Sequence, residues 1–189
     1  MRVERAALVP SPAGSPWCEV PFAEGTAALN SPGTRGIRAG ITLRAAGDMG
    51  LAVRHSDPSH GAFLAAIGVD AARARSVRQV HSRLVVAVDG QPPETLEGIE
   101  ADGMVSAEQD LLLTVTVADC LPVFLLDTVT GAFGVVHSGW KGTGIAGDAI
   151  RLMAARYGTR AADISAAIGP GIGPCCYIVP PDRCAEFRA

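Results

Sequence analysis

A cysteine and a histidine, Cys120 and His137, stand at the edges of two apolar runs in "TVTVADCLPVFLLDTVTGAFGVVHSGWKG", residues 114–142. Thiolate and imidazole are metal ligands, and they are also the pair from which a cysteine nucleophile and its base are built. Residues 122–127 and 132–137 read as the arms of a hairpin over the loop 128–131. His137 then faces Pro122, and Cys120 lies one two-residue step further along the same edge. Diagonal cross-strand neighbours sit about 7–8 Å apart at the backbone, within reach of two side chains that share an ion. Pro122 itself reads as a strand break, because proline offers no ladder donor.

A third ligand must come from His55, His60 or His81. The first two flank a helix start in "SDPSHGAFLAAIG", with Asp57 as cap, Pro58 in the first turn and Gly68 as the stop, and both read as exposed. His81 ends the strand-like "SVRQV" and precedes a serine, as His137 does. One cysteine and two histidines leave a fourth tetrahedral position for water, the pattern of a catalytic zinc. The plainer alternatives are a small core cysteine and a hydrogen-bonded strand-end histidine.

Other residues nearby carry chemistry of their own. Asp119 could orient a ligand histidine or shuttle a proton, or simply bond to backbone. Asp102, in "EADGMVS", reads as a turn residue or cap. The stretch "HSGWKGTG" runs into an amphipathic helix, "GTGIAGDAIRLMAARYG", whose free N–H groups, with Gly142 and Lys141, make the preferred phosphate site. Trp140 could stack on a purine or belong to the core. Arg44, in "ITLRAAGDMG", is a further anion contact. Adjacent Cys175 and Cys176 read as structural, since a disulfide between neighbours would be strained.

The frame that positions these residues is of the α+β class, with mixed β-sheets flanked by helices in a layered sandwich. Strands are predicted at "WCEVPF", "GITLR", within 76–89, over "LLLTVTVAD" and "PVFLLD", and at "GAFGVVHS", "ISAAIG" and "CCYIV". They outnumber helices without alternating strictly with them. A chain of 189 residues, 48% apolar, is long enough for one domain with a sizeable core. The net charge of −3, with no basic block, gives no support to a nucleic-acid partner. The N-terminus lacks a signal-peptide core and the longest apolar stretch is broken by Asp119, so no membrane partner is expected. Five cysteines in no secreted spacing read as reduced, which places the protein in the cytoplasm. Nothing in the sequence specifies an oligomeric state.

The segments "RQVHS", "ADGMVS", "TVADCLPVFLLD", "GVVHSGWKG" and "IGPGIGPCCY" stand in the order found in the laccase-domain family. That family was first described as multicopper polyphenol oxidases and later linked to zinc-dependent purine nucleoside phosphorolysis. The resemblance covers residues 76–180. It implies that His81, Cys120 and His137 hold Zn2+, and that the partners are a purine nucleoside and phosphate. Adenosine, inosine and methylthioadenosine would be cleaved to the base and ribose 1-phosphate, with adenosine deamination alongside. Departures are Lys141 where the family usually has arginine, which loses a bidentate fork, and Gly171 where a cysteine or another small residue is common. The segment at 58–67 also lacks a frequent Asn-Arg pair, and residues 1–189 read as a single domain without the family's C-terminal segment.

Three rivals remain open at this stage. One is a Cu2+ oxidoreductase acting on phenols, against which stands the lack of ligands for several coppers. Another is a metal-free hydrolase with Cys120 as nucleophile and His137 or His81 as base. The last is a non-catalytic binding or cell-envelope factor with a structural zinc.

Overall fold

The computed structural model describes residues 37–50 and 58–186, together with the backbone of 2–5, 9–10 and 17–19. His55 and Asp57 lie outside the described residues. The strands are β1 (Arg2–Arg5), β2 (Val9–Pro10), β3 (Trp17–Glu19), β4 (Gly40–Thr42), β5 (Ala74–Arg75), β6 (Val85–Ala87), β7 (Gly103–Ser106), β8 (Leu112–Leu113), β9 (Leu121–Asp127), β10 (Phe133–Ser138) and β11 (Ile164–Ile168). The helices are α1 (Ser59–Ala66), α2 (Pro93–Leu96), α3 (Ile145–Tyr157) and α4 (Pro181–Glu186). A six-stranded sheet runs β1-β11-β9-β10-β7-β6, parallel at its two outer pairs and antiparallel within. Smaller sheets join β2-β3-β4 and β5-β8. The class is α+β, with mixed sheets, as the sequence implies.

Period-two alternation sorts the central strands between two apolar layers. Val105 of β7, Val123 and Leu125 of β9, and Val136 of β10 share one cluster with Ile145, Ala149 and Met153 of α3. Those three helix residues recur every fourth position, which makes a single apolar stripe along α3. Asp148 in the first turn and Arg156 in the last oppose the helix dipole, and Gly158, at φ +71°, ends the helix. Met104 and Val135 point the other way, to a layer with Val88, Leu96 and Ala101. The sheet is therefore covered on both faces, and the loops at one of its ends carry the chemistry.

The hairpin register is the one read from the sequence: His137 pairs with Pro122 and Phe133 with Leu126. Pro122 does not break the strand, however; β9 begins at Leu121, paired with Ser138. His137 gives its N–H to the Asp102 carbonyl on the β7 side at 2.7 Å, so the His137–Pro122 pair exchanges no ladder bonds. The missing proline N–H faces the β11 side, where the Pro122 carbonyl still accepts from the Gly169 N–H at 2.9 Å just beyond the Ile168–Val123 pair. One bond of that pair is kept, and only its reciprocal is lost to proline.

Residues 76–84, expected as strand, form a loop with only a bridge between Arg78 and Glu100. The stretch 114–119 is also irregular, although Val115 packs into the second apolar layer with Leu111 and Leu113. At "CCYIV" a turn replaces the strand, because Cys176 and Tyr177 both donate to the Gly173 carbonyl at 3.0 Å.

At the far end of the hairpin, buried Asp127 accepts from the N–H groups of Val129 at 2.8 Å and Thr130 at 3.0 Å. Burial acts to raise this carboxyl, but the bonds from Thr130 and Val129 outweigh it and hold it below the ordinary range. Its stabilising effect is complete above about pH 4, the unfolded carboxyl value, and is lost as pH falls towards the lower folded value. Asp127→Ala should lower unfolding stability at pH 7 by about 1–3 kcal/mol in urea titrations. That deficit should shrink as the titrations move below pH 4.

Candidate metal centre

Three side chains from separate elements meet at the end of the sheet. His137 closes β10, Cys120 directly precedes β9, and His81 sits in the loop between β5 and β6. Their ligand atoms all lie within 4.8 Å of one another. Cys120 Sγ is 4.0 Å from His81 Nε2, and the imidazole rings stand edge to face with centroids 4.8 Å apart. A tetrahedral zinc, with bonds of about 2.0–2.3 Å, sets sulfur and nitrogen ligands about 3.6 Å apart. The cluster is wider than that, by about 0.4 Å between Cys120 and His81 and by up to about 1.2 Å at its widest. Among the described residues no fourth His, Cys, Asp or Glu joins the group.

The side chain that builds the centre is Asp102. Its carboxylate is fully buried and accepts from His137 Nδ1 at 2.7 Å. It also accepts from the N–H groups of Val80 (3.2 Å), His81 (3.0 Å) and Ser82 (2.7 Å) and from Ser82 Oγ (2.8 Å). A carboxylate only accepts, so His137 Nδ1 must be the donor and its Nε2 is left bare for an ion. Three consecutive amides can reach one carboxylate only if the chain curls, and His81 does so at φ +58°. Burial alone would raise the Asp102 carboxyl; the bonds from His137, Ser82 and Val80 outweigh it and hold it below the ordinary carboxylate range. Sequence reasoning gave the role of orienting a histidine to Asp119 and left Asp102 as a turn residue.

Two more features escaped the sequence. Gly139 is a cradle for all three ligands: a Cβ there would come within 2.8 Å of the His81 ring and 3.4 Å of both Cys120 Sγ and the His137 ring. Gln79 meanwhile clamps the Cys120 segment to the His81 loop. Its side-chain amide donates to the Thr116 carbonyl at 2.8 Å and accepts the Thr116 N–H at 2.7 Å, as a strand neighbour would. The signal for Gly139 was its place directly after the His137–Ser138 strand end. For Gln79 there was none.

The ligands open into a cleft of about 690 Å³, whose walls also include Arg44, Asp48, Met49, Gln79, Thr116 and Asp119. Arg44 and Asp119 are thus brought to the ligand residues, whereas Gly142, Lys141 and Trp140 do not line the cleft. Gly142 is buried against the Ser82 carbonyl, 2.7 Å from where a Cβ would stand. Lys141 Nζ lies 5.0 Å from the Trp140 ring and the Arg183 guanidinium, from α4, 4.6 Å from it, as cation–π contacts. The start of α3 is answered by the chain's own charges, with Arg83 paired to Asp148 at 2.7 Å.

Burial pushes the Cys120 thiol above its ordinary value, and the carboxylates of Asp119 and Asp102 push it further. An activated cysteine nucleophile needs the opposite, an electropositive setting. A soft thiolate, two imidazoles, a carboxylate behind one of them and an open cleft in front fit a single metal ion with an exchangeable position.

Asp102→Asn presents an amide N–H2 to groups that are themselves donors. Ion affinity, read by competition with a coloured chelator, should fall about 10–100-fold. The folded state should lose about 1–3 kcal/mol for the unsatisfied donors.

The purine nucleoside phosphorylase of Deinococcus radiodurans is 40% identical over 126 residues, which cover 66% of this chain and 48% of that protein. Purine nucleoside phosphorylase LACC1 of Mus musculus is 33% identical over 126 residues, covering 66% of this chain and 28% of its own length. The chain thus spans about half or less of these curated relatives. Among solved structures, YlmD of Geobacillus stearothermophilus superposes with a TM-score of 0.62 at 30% identity, over 69% of this chain and 51% of that one. A family model described as multi-copper polyphenol oxidoreductase laccase matches residues 34–189, and on that match the chain belongs to this family.

Proposed function

We propose that the chain carries the metal centre of a zinc-dependent purine nucleoside phosphorylase. On this reading it converts adenosine, inosine and methylthioadenosine with phosphate to the free base and ribose 1-phosphate, deaminates adenosine as well, and works in the cytoplasm. The observation that carries the reading is the placement of His81, Cys120 and His137 within 4.8 Å of one another on a cleft whose wall includes Arg44. Relatives named purine nucleoside phosphorylase support it. No helix among the described residues is long and apolar enough to cross a membrane.

His81, Cys120 and His137 would hold the zinc, which would supply a Lewis acid beside the substrate. The chain's own groups do the rest. Arg44 offers the positive charge that holds phosphate beside the nucleoside. As the glycosidic bond to the purine nitrogen breaks and the phosphate oxygen bonds to C1′, positive charge develops on the ribose. Asp48, on the same wall, supplies negative charge to offset it. Asp119, exposed on that wall, relays a proton from solvent to the leaving base. Asp102 keeps His137 in one tautomer throughout.

A copper oxidoreductase acting on phenols is the second reading, favoured by Met49, which lines the same cleft. A thioether would add a soft sulfur donor to two histidines and one cysteine, a set that suits copper. Metal analysis of protein purified without added ions separates the two. Zinc with phosphate-dependent release of adenine or hypoxanthine is expected; copper with phenol oxidation and no nucleoside consumption would overturn the phosphorylase reading.

Incubating adenosine with and without phosphate, and resolving adenine, hypoxanthine and inosine, tests the roles of residues. Cys120→Ala should abolish both activities along with bound metal. Arg44→Ala should raise the KM for phosphate about 10–100-fold, the loss of one charge-assisted contact, while inosine formation stays near its original rate. Unchanged phosphate dependence in Arg44→Ala would place the anion elsewhere.

A further inference from the structure

Beyond the metal centre, the chain carries an adjacent pair of thiols that the proposed reaction does not use. Cys175 and Cys176 are both exposed, and their sulfur atoms are 3.3 Å apart. Neighbouring side chains on an extended strand point to opposite faces. Here the backbone is a tight turn, held by the Cys176 and Tyr177 N–H groups donating to the Gly173 carbonyl at 3.0 Å, and both sulfurs emerge together. The turn is itself anchored, since the Ile172 N–H donates to the Asp119 carbonyl at 2.8 Å.

The spacing selects a class of ligand. With bonds of about 2.3 Å, the length of a zinc–thiolate bond, a bite of 3.3 Å subtends about 92° at a shared atom. A tetrahedral zinc needs about 3.8 Å between two sulfurs at that bond length, and a linear two-coordinate ion needs more. A near right angle is the angle at which three-coordinate, lone-pair-bearing elements such as trivalent arsenic and antimony hold their bonds.

The geometry points to Cys175 and Cys176 as a chelating dithiol for trivalent arsenicals and their antimony counterparts, separate from the His81–Cys120–His137 centre. With an aryl arsenoxide, two arsenic–sulfur bonds form and the arsenic–oxygen bond breaks. Both thiol protons leave with that oxygen as water, and arsenic stays trivalent, so no oxidant or reductant is required. The chelate persists against competing monothiols because the second sulfur is held at high effective concentration after the first has bonded.

The test uses the full chain, phenylarsine oxide and intact-mass measurement after washing with excess 2-mercaptoethanol. One retained arsenical per chain is expected, released by dithiothreitol, and retained equally in Cys120→Ala and Cys184→Ser. Cys175→Ser and Cys176→Ser should each cut retention at least tenfold, with circular dichroism unchanged. Retention in either of those serine variants, its loss in Cys184→Ser, or no retention by the parent chain would overturn the assignment.

Discussion

A buried carboxylate must have its lone pairs filled or it cannot stay ionised, and the centre of this protein is arranged around that constraint. Asp102 has no exposed surface. Its donors come from residues 80–82 on one side and from His137 on the other. Desolvation pulls its proton affinity up, the bonds from His137, Ser82 and Val80 pull it down, and the bonds win. The same bonds place the His81 backbone and the His137 ring, and decide which nitrogen His137 can offer. Ligand geometry is here a by-product of satisfying one charge.

This explains which features could be read from the sequence. The pairing of His137 with Pro122 followed from alternating apolar residues and a short loop, both local signals. Helix α3 was legible for the same reason, with a glycine stop and an apolar stripe every fourth residue. The curl at His81 was not legible, because the carboxylate that imposes it lies some twenty residues further on. Gln79 and Thr116 pair across 37 residues, so the stretch 114–119 finds a surrogate strand partner that no periodicity announces. Asp119 looked the better orienting residue only because it adjoins a ligand in sequence; adjacency across the sheet chose Asp102.

The glycines in "HSGWKG" show the same shift from local to tertiary causes. Read alone, Gly142 beside Lys141 suggested an anion loop at a helix start. In the fold, Gly142 is bare so that its turn can approach the Ser82 carbonyl, and Gly139 is bare so that three ligands can approach its backbone. Both therefore serve the His81 loop. The positive charge on the cleft wall comes instead from Arg44, far away in sequence.

Charge finally bears on how such a site takes up an ion. Three protein ligands within 4.8 Å suffice for one ion and leave nothing among the described residues for a second. Around that one position the Asp102 carboxylate is ionised and the Cys120 thiol is held protonated by burial and by the carboxylates of Asp119 and Asp102. Binding an ion must expel the thiol proton, so metal and proton compete for the same sulfur. Once it has gone, the thiolate joins the carboxylates of Asp102 and Asp119 around one position, and an uncompensated charge there is costly to desolvate. The bonds that keep Asp102 ionised therefore also favour a cation among the three side chains.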